Sequence, residues 1–299
     1  MSPYKKALLI YNNKAGQTEI EKSLAAVLPV LSAHIKELKV IQTEVAGETT
    51  ELCREHGEEV ELVIILGGDG TVNEAINGLA RLQKRPALAI LPGGTCNDFT
   101  RVLNIPQNLA EAAELIINGH TRPVDVGKVN NRYFLNFWGI GLVADTSDNI
   151  NENEKKFMGK LSYFLSAIRT LKEAETFKFT MEVDGEIIED EAVMILVMNG
   201  KYIGTTQIPF PVIKIDDGLL DVIVVKESTL AIFYDLLNVD KIIDEDQTDP
   251  DARLLHYQAK SVSVKTNLVK QADTDGEIDT ETPASMGILK HHIHMIAGK

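Results

Sequence analysis

The sequence is short of cysteine, short of positive charge and free of long apolar runs. Each shortage removes a class of protein. Two cysteines, Cys53 and Cys96, stand far apart in a chain of 299 residues. A disulfide framework or a zinc site needs more than that, and the reducing cytoplasm is the expected compartment. Lys and Arg number 30 against 44 Asp and Glu, a formal net charge of −14. No basic field is present to offset phosphate repulsion, so nucleic acid is not expected as a partner. Simple electrostatic docking on an anionic bilayer is disfavoured for the same reason. No apolar run approaches the roughly 18 residues of a membrane span. The opening MSPYKKALLIYNNKAG has too short an apolar run for a signal peptide. The pattern G-x-x-x-x-G-K-[ST] is missing, which excludes a P-loop enzyme. There is no internal repeat and no low-complexity tract.

What is present points to two domains. Hydrophobic residues make up 44%, ordinary for a protein with real cores. From residue 1 to about 125, short apolar runs alternate with helical patterns. ALLIY, ELKVIQTEV, ELVIIL and ALAIL read as strands, and IEKSLAAVLPVLSAHI, TTELCREHG and TVNEAINGLARL as helices between them. Fully apolar strands alternating with helices imply a Rossmann-like parallel α/β sheet. From 126 to 287 the texture becomes β-rich. KVNNRYFLNFWGIGL reads as a hairpin turning at Asn130-Asn131, and KFTMEVDGEIIEDEAVMILVMNG as another turning at Asp184-Gly185. GLLDVIVVK and AKSVSVKTN are further strands, so this half is expected to be a mostly antiparallel β-sandwich or barrel. One long helix, about 155–172, interrupts it. The terminal 288–299, with KHHIHM, reads as a polar strand that could return to the first sheet; a zinc site there would need further ligands.

Ligands of an open parallel sheet bind beyond the carboxyl ends of its strands. Three loops fall there: 12–17, 67–74 and 92–98. Thr71-x-x-Glu74 matches a capping box and Thr95-x-x-Asp98 is its near relative, so each is expected to open a helix at a glycine turn. Helix N-termini offer free N–H groups to phosphate, and glycines let it approach the backbone. Asp69, set between glycines, would repel phosphate unless a cation lies between them, and magnesium with its waters is the natural mediator. A plain tight turn capped by Asp69 is the other reading. KIDDGLLD (214–221) likewise fits either a bend or a hard cation held by a carboxylate and carbonyls.

NNKAGQ (12–17), GGDGTVNE (67–74), PGGTCNDF (92–99), PVDVGKVNNRYFLN (123–136), KIDDGLLDV (214–222) and DTDGE (273–277) follow one another in an order that resembles the diacylglycerol kinase catalytic-domain family. The likeness is to its soluble bacterial lipid kinases, with sphingosine kinases as relatives. The resemblance implies transfer of the γ-phosphate of ATP to a lipid hydroxyl with Mg2+, in phospholipid biosynthesis. It implies that Asn12, Asn13, Lys14, Ala15, Gly16, Thr43, Gly67, Gly68, Asp69, Gly70, Thr71, Asn73, Glu74, Gly94 and Thr95 hold the nucleotide. Asp69, Asp98 and Asp125 would position magnesium through water. Lys214, Asp217 and Leu219 match a second metal site, the lysine and leucine acting through carbonyls. Glu277 matches the general base. Asp-Gly-Glu occurs at 184–186 as well, where a hairpin turn accounts for it. Cys96 is read as a filler in its loop.

The expected acceptor is diacylglycerol, giving phosphatidic acid. A kinase of a soluble alcohol resembling NAD kinase is an alternative, as is a nucleotide-binding regulator without catalysis. A lipid acceptor implies a cytoplasmic enzyme, peripheral at the inner face of the membrane. The helix 155–172 carries Phe157, Leu161, Phe164, Leu165, Ile168 and Leu171 on one face among lysines. It could rest on a bilayer or pack over the β domain. The stretch 238–256 is strongly acidic, unlike the relatives, and speaks against membrane contact there. An antiparallel edge of the β domain leaves a homodimer open.

Overall fold

The computed structural model describes residues 4–12, 17–142, 144, 175–208, 212–227 and 252–299. The loop Asn13–Gly16, the helix expected at 155–172 and most of the acidic stretch 238–256 lie outside them. The chain forms two compact units, 1–124 with 291–299, and 125–290.

In the first unit, β1 (Lys6–Asn12), α1 (Gln17–His34), β2 (Glu37–Thr43), α2 (Glu48–His56), β3 (Leu62–Gly67), α3 (Asp69–Leu79), β4 (Ala87–Pro92), α4 (Asp98–Val102) and α5 (Leu109–Asn118) follow in turn. The strands are parallel in the order β2-β1-β3-β4. Every residue of β3 is buried, as helices on both faces of a parallel sheet require. The strands and first three helices are those expected from the sequence. The helix α5 was not. Its signal is Asn108, whose side chain accepts from the amides of Ala110 and Glu111. Ala112, Ala113, Ile116 and Ile117 follow as its buried stripe.

The second unit is a β-sandwich. Its strands are β5 (His120–Val129, entering from the first unit), β6 (Arg132–Phe134), β7 (Phe137–Gly141), β8 (Phe177–Val183), β9 (Glu186–Ala192), β10 (Met194–Met198), the short β11 (Tyr202–Ile203) and β12 (Thr206–Gln207), β13 (Leu220–Val225), β14 (Leu254–Ala259), β15 (Ser261–Thr266), β16 (Gln271–Thr274), β17 (Glu277–Glu281) and β18 (Ala284–Ala297). One sheet runs β14-β13-β10-β7-β16-β17, all antiparallel; in the other, β15 lies between β8 and the first half of β18, with β9 outside β8. Trp138, Ile140, Val197 and Val222 of the first sheet share a core with Phe179, Met181, Val262 and Met286 of the second. β8 alternates strictly between buried and exposed residues, the mark of a strand with one face on a core.

Each expected hairpin is shorter than its apolar run suggests. β6 pairs with β5 only to Phe134, and β7 then enters the other sheet. β8 and β9 form a hairpin, and β10 crosses over likewise. Periodicity shows strands but not which sheet a strand joins. β18 ends in the first unit, where Met295 pairs in parallel with Leu88 of β4. His291, at φ 51°, stands where the strand passes from one unit to the other.

Candidate functional site

Two glycine loops leave the carboxyl ends of β3 and β4 and pack against each other. Gly93 donates its amide to the Gly67 carbonyl at 2.9 Å. A Cβ on Gly94 would lie 2.5 Å from the Gly68 Cα, and one on Gly68 would lie 3.1 Å from the Gly94 Cα. The glycines therefore serve the contact between the loops, besides any approach by a ligand.

The helices that follow are not capped as the sequence suggests. The helix α3 begins at Asp69 with Gly68 at its N-cap, so Thr71 lies inside the first turn. Its hydroxyl accepts from the Asn12 side-chain Nδ2 at 2.7 Å. The helix α4 begins at Asp98 after Asn97, which has φ 52°, and Thr95 is exposed ahead of it. The Asp98 amide is taken at 2.7 Å by Asp69 Oδ1, from the other loop. A helix start needs an acceptor, and here tertiary structure supplies it from outside the local sequence. Asn97 closes its own loop: Oδ1 accepts from the Gly94 amide at 2.8 Å and Nδ2 donates to the Gly94 carbonyl at 2.9 Å. It was passed over in the sequence, where Asn before Asp is an ordinary loop pair.

Asn12, Gly67, Gly68, Asp69, Gly70, Thr71, Gly94, Thr95 and Asp98 thus fall at one edge of the sheet. Three residues expected with them are engaged otherwise. The Glu74 carboxylate accepts the Thr49 amide at 3.3 Å at the start of α2, and its carbonyl takes the Thr50 hydroxyl at 2.9 Å. Asn73 is buried, and its side-chain and main-chain oxygens accept from Asn77. The buried Thr43 donates to the Tyr11 carbonyl at 3.3 Å.

In the second unit, Asp125 is fully buried. Its Oδ2 accepts from the Gly218 amide at 2.6 Å, and its own amide donates to the Ile215 carbonyl at 2.7 Å. It thereby holds the loop that carries Lys214, Asp217 and Leu219. Asp217 Oδ1 accepts from the Leu219 amide at 3.0 Å, and the Lys290 ammonium reaches the Asp217 carbonyl at 3.0 Å. Burial pushes the Asp217 carboxyl above its ordinary value, with the carboxylates of Asp221 and Asp125 adding to the rise; the Leu219 amide and Lys214 oppose it. Asp221, which the sequence reading did not single out, is fully buried. Its Oδ1 accepts from His256 at 2.8 Å and Gln258 at 3.1 Å, while Oδ2 has no hydrogen-bond partner. Crowded carboxylates with one orphaned oxygen suit a hard cation. Among the described residues no three His, Cys, Asp or Glu side chains gather closely enough to hold a metal alone. Carbonyls and water would have to complete the shell.

Glu277 is exposed and opens β17, directly after the Asp275-Gly276 turn. The Asp275 carboxylate accepts three main-chain amides, those of Leu135, Asn136 and Phe137.

Residues 6–129 match the diacylglycerol kinase catalytic domain, and residues 139–297 match the YegS C-terminal NAD kinase beta sandwich-like domain. A Staphylococcus epidermidis protein named "Putative lipid kinase" is 33% identical, with 98% of this chain and 97% of that protein aligned. The chain belongs to the diacylglycerol kinase catalytic-domain family. A crystal structure of a "putative diacylglycerol kinase" from Bacillus anthracis is 46% identical with a TM-score of 0.89, and covers 100% of this chain and 98% of that one. A second such structure from the same organism is 44% identical with a TM-score of 0.86, over 100% and 99% of the two chains. A kinase domain of this family implies ATP as phosphoryl donor and, as a rule, a divalent metal. No helix among the described residues is long and apolar enough to cross a membrane.

Proposed function

We propose that this member of the diacylglycerol kinase family transfers the γ-phosphoryl group of ATP to the hydroxyl of a membrane lipid. Diacylglycerol is the leading acceptor, giving phosphatidic acid for phospholipid synthesis. The observation that carries the reading is the paired glycine loops, with the Asp69 carboxylate held on the first amide of α4. Phosphoryl transfer asks the protein chiefly for positioning and charge neutralisation. Asn12, the 13–16 loop and the 67–71 and 94–95 loops would hold the nucleotide, with Thr43, Asn73 and Glu74 bracing them. Asp69, Asp98 and Asp125 would bind magnesium through water. Asp217, with carbonyls of Lys214 and Leu219, would hold a second, structural cation. Bound magnesium offsets charge on the phosphates. The base is Glu277: its carboxylate takes the hydroxyl proton as the lipid oxygen bonds to the γ-phosphorus and ADP departs. The enzyme would work at the inner face of the membrane.

The description of the second domain as NAD kinase-like favours one alternative, a soluble alcohol as acceptor. Label transfer from γ-labelled ATP to lipids in detergent micelles, with soluble alcohols in parallel, separates the two. Labelled phosphatidic acid that vanishes in Glu277→Gln is the expected result. Label on a soluble alcohol alone refutes the lipid reading. No label on any acceptor, with ATP still bound, refutes both and leaves a nucleotide-binding regulator.

A further inference from the structure

Asp-Gly-Glu occurs twice, and both copies fold alike. Asp184 and Gly185 have φ of 47° and 95°, Asp275 and Gly276 of 52° and 96°. Each pair makes a two-residue hairpin turn, between Val183 and Glu186 and between Thr274 and Glu277, with the positive φ values a type I′ turn requires. Turn conformation therefore does not set Glu277 apart from Glu186. What each aspartate holds does.

The Asp184 carboxylate accepts the amides of Lys260 and Ser261 and the Ser261 hydroxyl, at the start of a strand neighbouring its own. Asp275 holds a different kind of segment. Its Oδ2 accepts the Leu135 amide at 2.7 Å, and its Oδ1 accepts those of Asn136 at 2.8 Å and Phe137 at 2.9 Å. Those three residues are the bend by which the chain leaves β6 in one sheet and enters β7 in the other. The same bend is gripped by Asn199, whose Nδ2 donates to the Leu135 carbonyl at 2.7 Å, and by the amides of Asn199 and Gly200 on the Asn136 carbonyl. A second carboxylate fixes the rest of the turn: Asp273 Oδ1 accepts the Gly276 amide at 2.6 Å. Three charge-assisted bonds to one carboxylate are a strong tie. Among the described residues, the buried side-chain oxygens without a hydrogen-bond partner are those of Asn136, Asn199 and Asp221. The first lies in this bend and the second grips it. Unsatisfied buried acceptors are costly to a fold and gather where function constrains it.

We infer that Asp275 is a positioning residue for phosphoryl transfer: by tying the Asp275–Glu277 turn to the 135–137 bend, it fixes the place from which the Glu277 carboxylate meets the acceptor hydroxyl. The inference rests on Glu277 being the base. A general base works only within hydrogen-bond reach of its proton, and a displacement of about 1 Å costs roughly 100-fold in rate. Asp184 is the internal control, with the same turn and a comparable clamp but no base to place.

The test measures kcat, KM for ATP and Tm for Asp275→Asn, Asp184→Asn and Glu277→Gln. Asp275→Asn is expected to lower kcat about 100-fold with KM for ATP unchanged. Asp184→Asn is expected to lose a similar Tm and keep wild-type kcat. Should Asp275→Asn fail to fold, Asp273→Asn replaces it; removing the charge that strengthens the bond to the Gly276 amide, it is expected to lower kcat about tenfold. Wild-type kcat in the folded Asp275 or Asp273 variant overturns the inference, as does an equal loss in Asp184→Asn. Glu277→Gln separates the two levels. Full activity there overturns the base assignment itself, whereas an inactive Glu277→Gln beside a fully active Asp275→Asn overturns only the positioning role.

Discussion

Gly94→Ala puts a methyl carbon 2.5 Å from the Gly68 Cα. Ordinary carbon contacts lie at about 3.5–4.0 Å, so one loop must retreat by roughly 1 Å. The obstacle is main chain, which no rotamer change can relieve. Overpacking of this kind costs about 1–3 kcal/mol. Against it stands the lower entropy of alanine in the unfolded chain, about 0.4–1 kcal/mol in favour of the variant. The net expectation is a loss of roughly 1–2 kcal/mol, a fall in Tm of about 2–8 °C for a chain of this size. The retreat also moves the Gly94 amide from Asn97 and the Asp98 amide from Asp69, so ATP affinity should fall about tenfold, which corresponds to about 1.4 kcal/mol. Gly68→Ala, whose new carbon stands 3.1 Å from the Gly94 Cα, should do the same more mildly. Thermal melts with and without magnesium-ATP measure both effects. A Gly94→Ala protein with wild-type Tm and wild-type stabilisation by ATP would show that the loops do not pack together as described.

Glu74→Ala should cost about 1 kcal/mol, the usual price of a lost acceptor at a helix start, because its carboxylate serves the Thr49 amide; titration with ATP should give an affinity within about twofold of wild type, and a tenfold loss would place Glu74 on the nucleotide instead. Asp217→Asn keeps an oxygen for the Leu219 amide and removes a charge. A carboxyl whose folded pKa is raised costs stability once ionised, above that pKa, and the cost disappears as pH falls below it. At neutral pH the variant should melt about 2 °C higher than wild type without metal and lose stabilisation by added Mg2+; a lower Tm at neutral pH would refute the crowding of carboxylates. Asp184 lies the other way, its carboxyl held below the ordinary value chiefly by the Lys260 amide. Its contribution is present above the unfolded pKa and lost as pH falls through the folded one. Asp184→Asn should therefore melt lower than wild type at neutral pH by no more than about 2 °C, since the site is exposed, with the gap closing on acidification. A gap that persists in acid, once the carboxyl is protonated in both the folded and unfolded states, would place the effect in geometry rather than charge.

The sequence by itself determined the architecture and the family. Apolar runs such as Leu62–Leu66 alternate with helical spacing, and that pattern has few solutions other than a parallel sheet with helices on both faces. Strict alternation along Phe177–Val183 announced a strand with one face on a core. Six short motifs in family order named the kinase class. These signals are local, carried by period and spacing. Tertiary structure decided what needs partners distant in the chain. Thr71 and Thr95 looked like caps, yet the acceptor for the Asp98 amide came from Asp69, 29 residues earlier. Glu74 sat in a nucleotide motif, and its carboxylate turned to α2. The glycines read as room for phosphate proved also to be room for each other. Two identical Asp-Gly-Glu turns became distinguishable only when each carboxylate was traced to the backbone it holds, Lys260 and Ser261 for one and Leu135 to Phe137 for the other. A hydrogen bond is indifferent to sequence separation, so the residues that fix a site are set by the fold and not by the motif in which they appear.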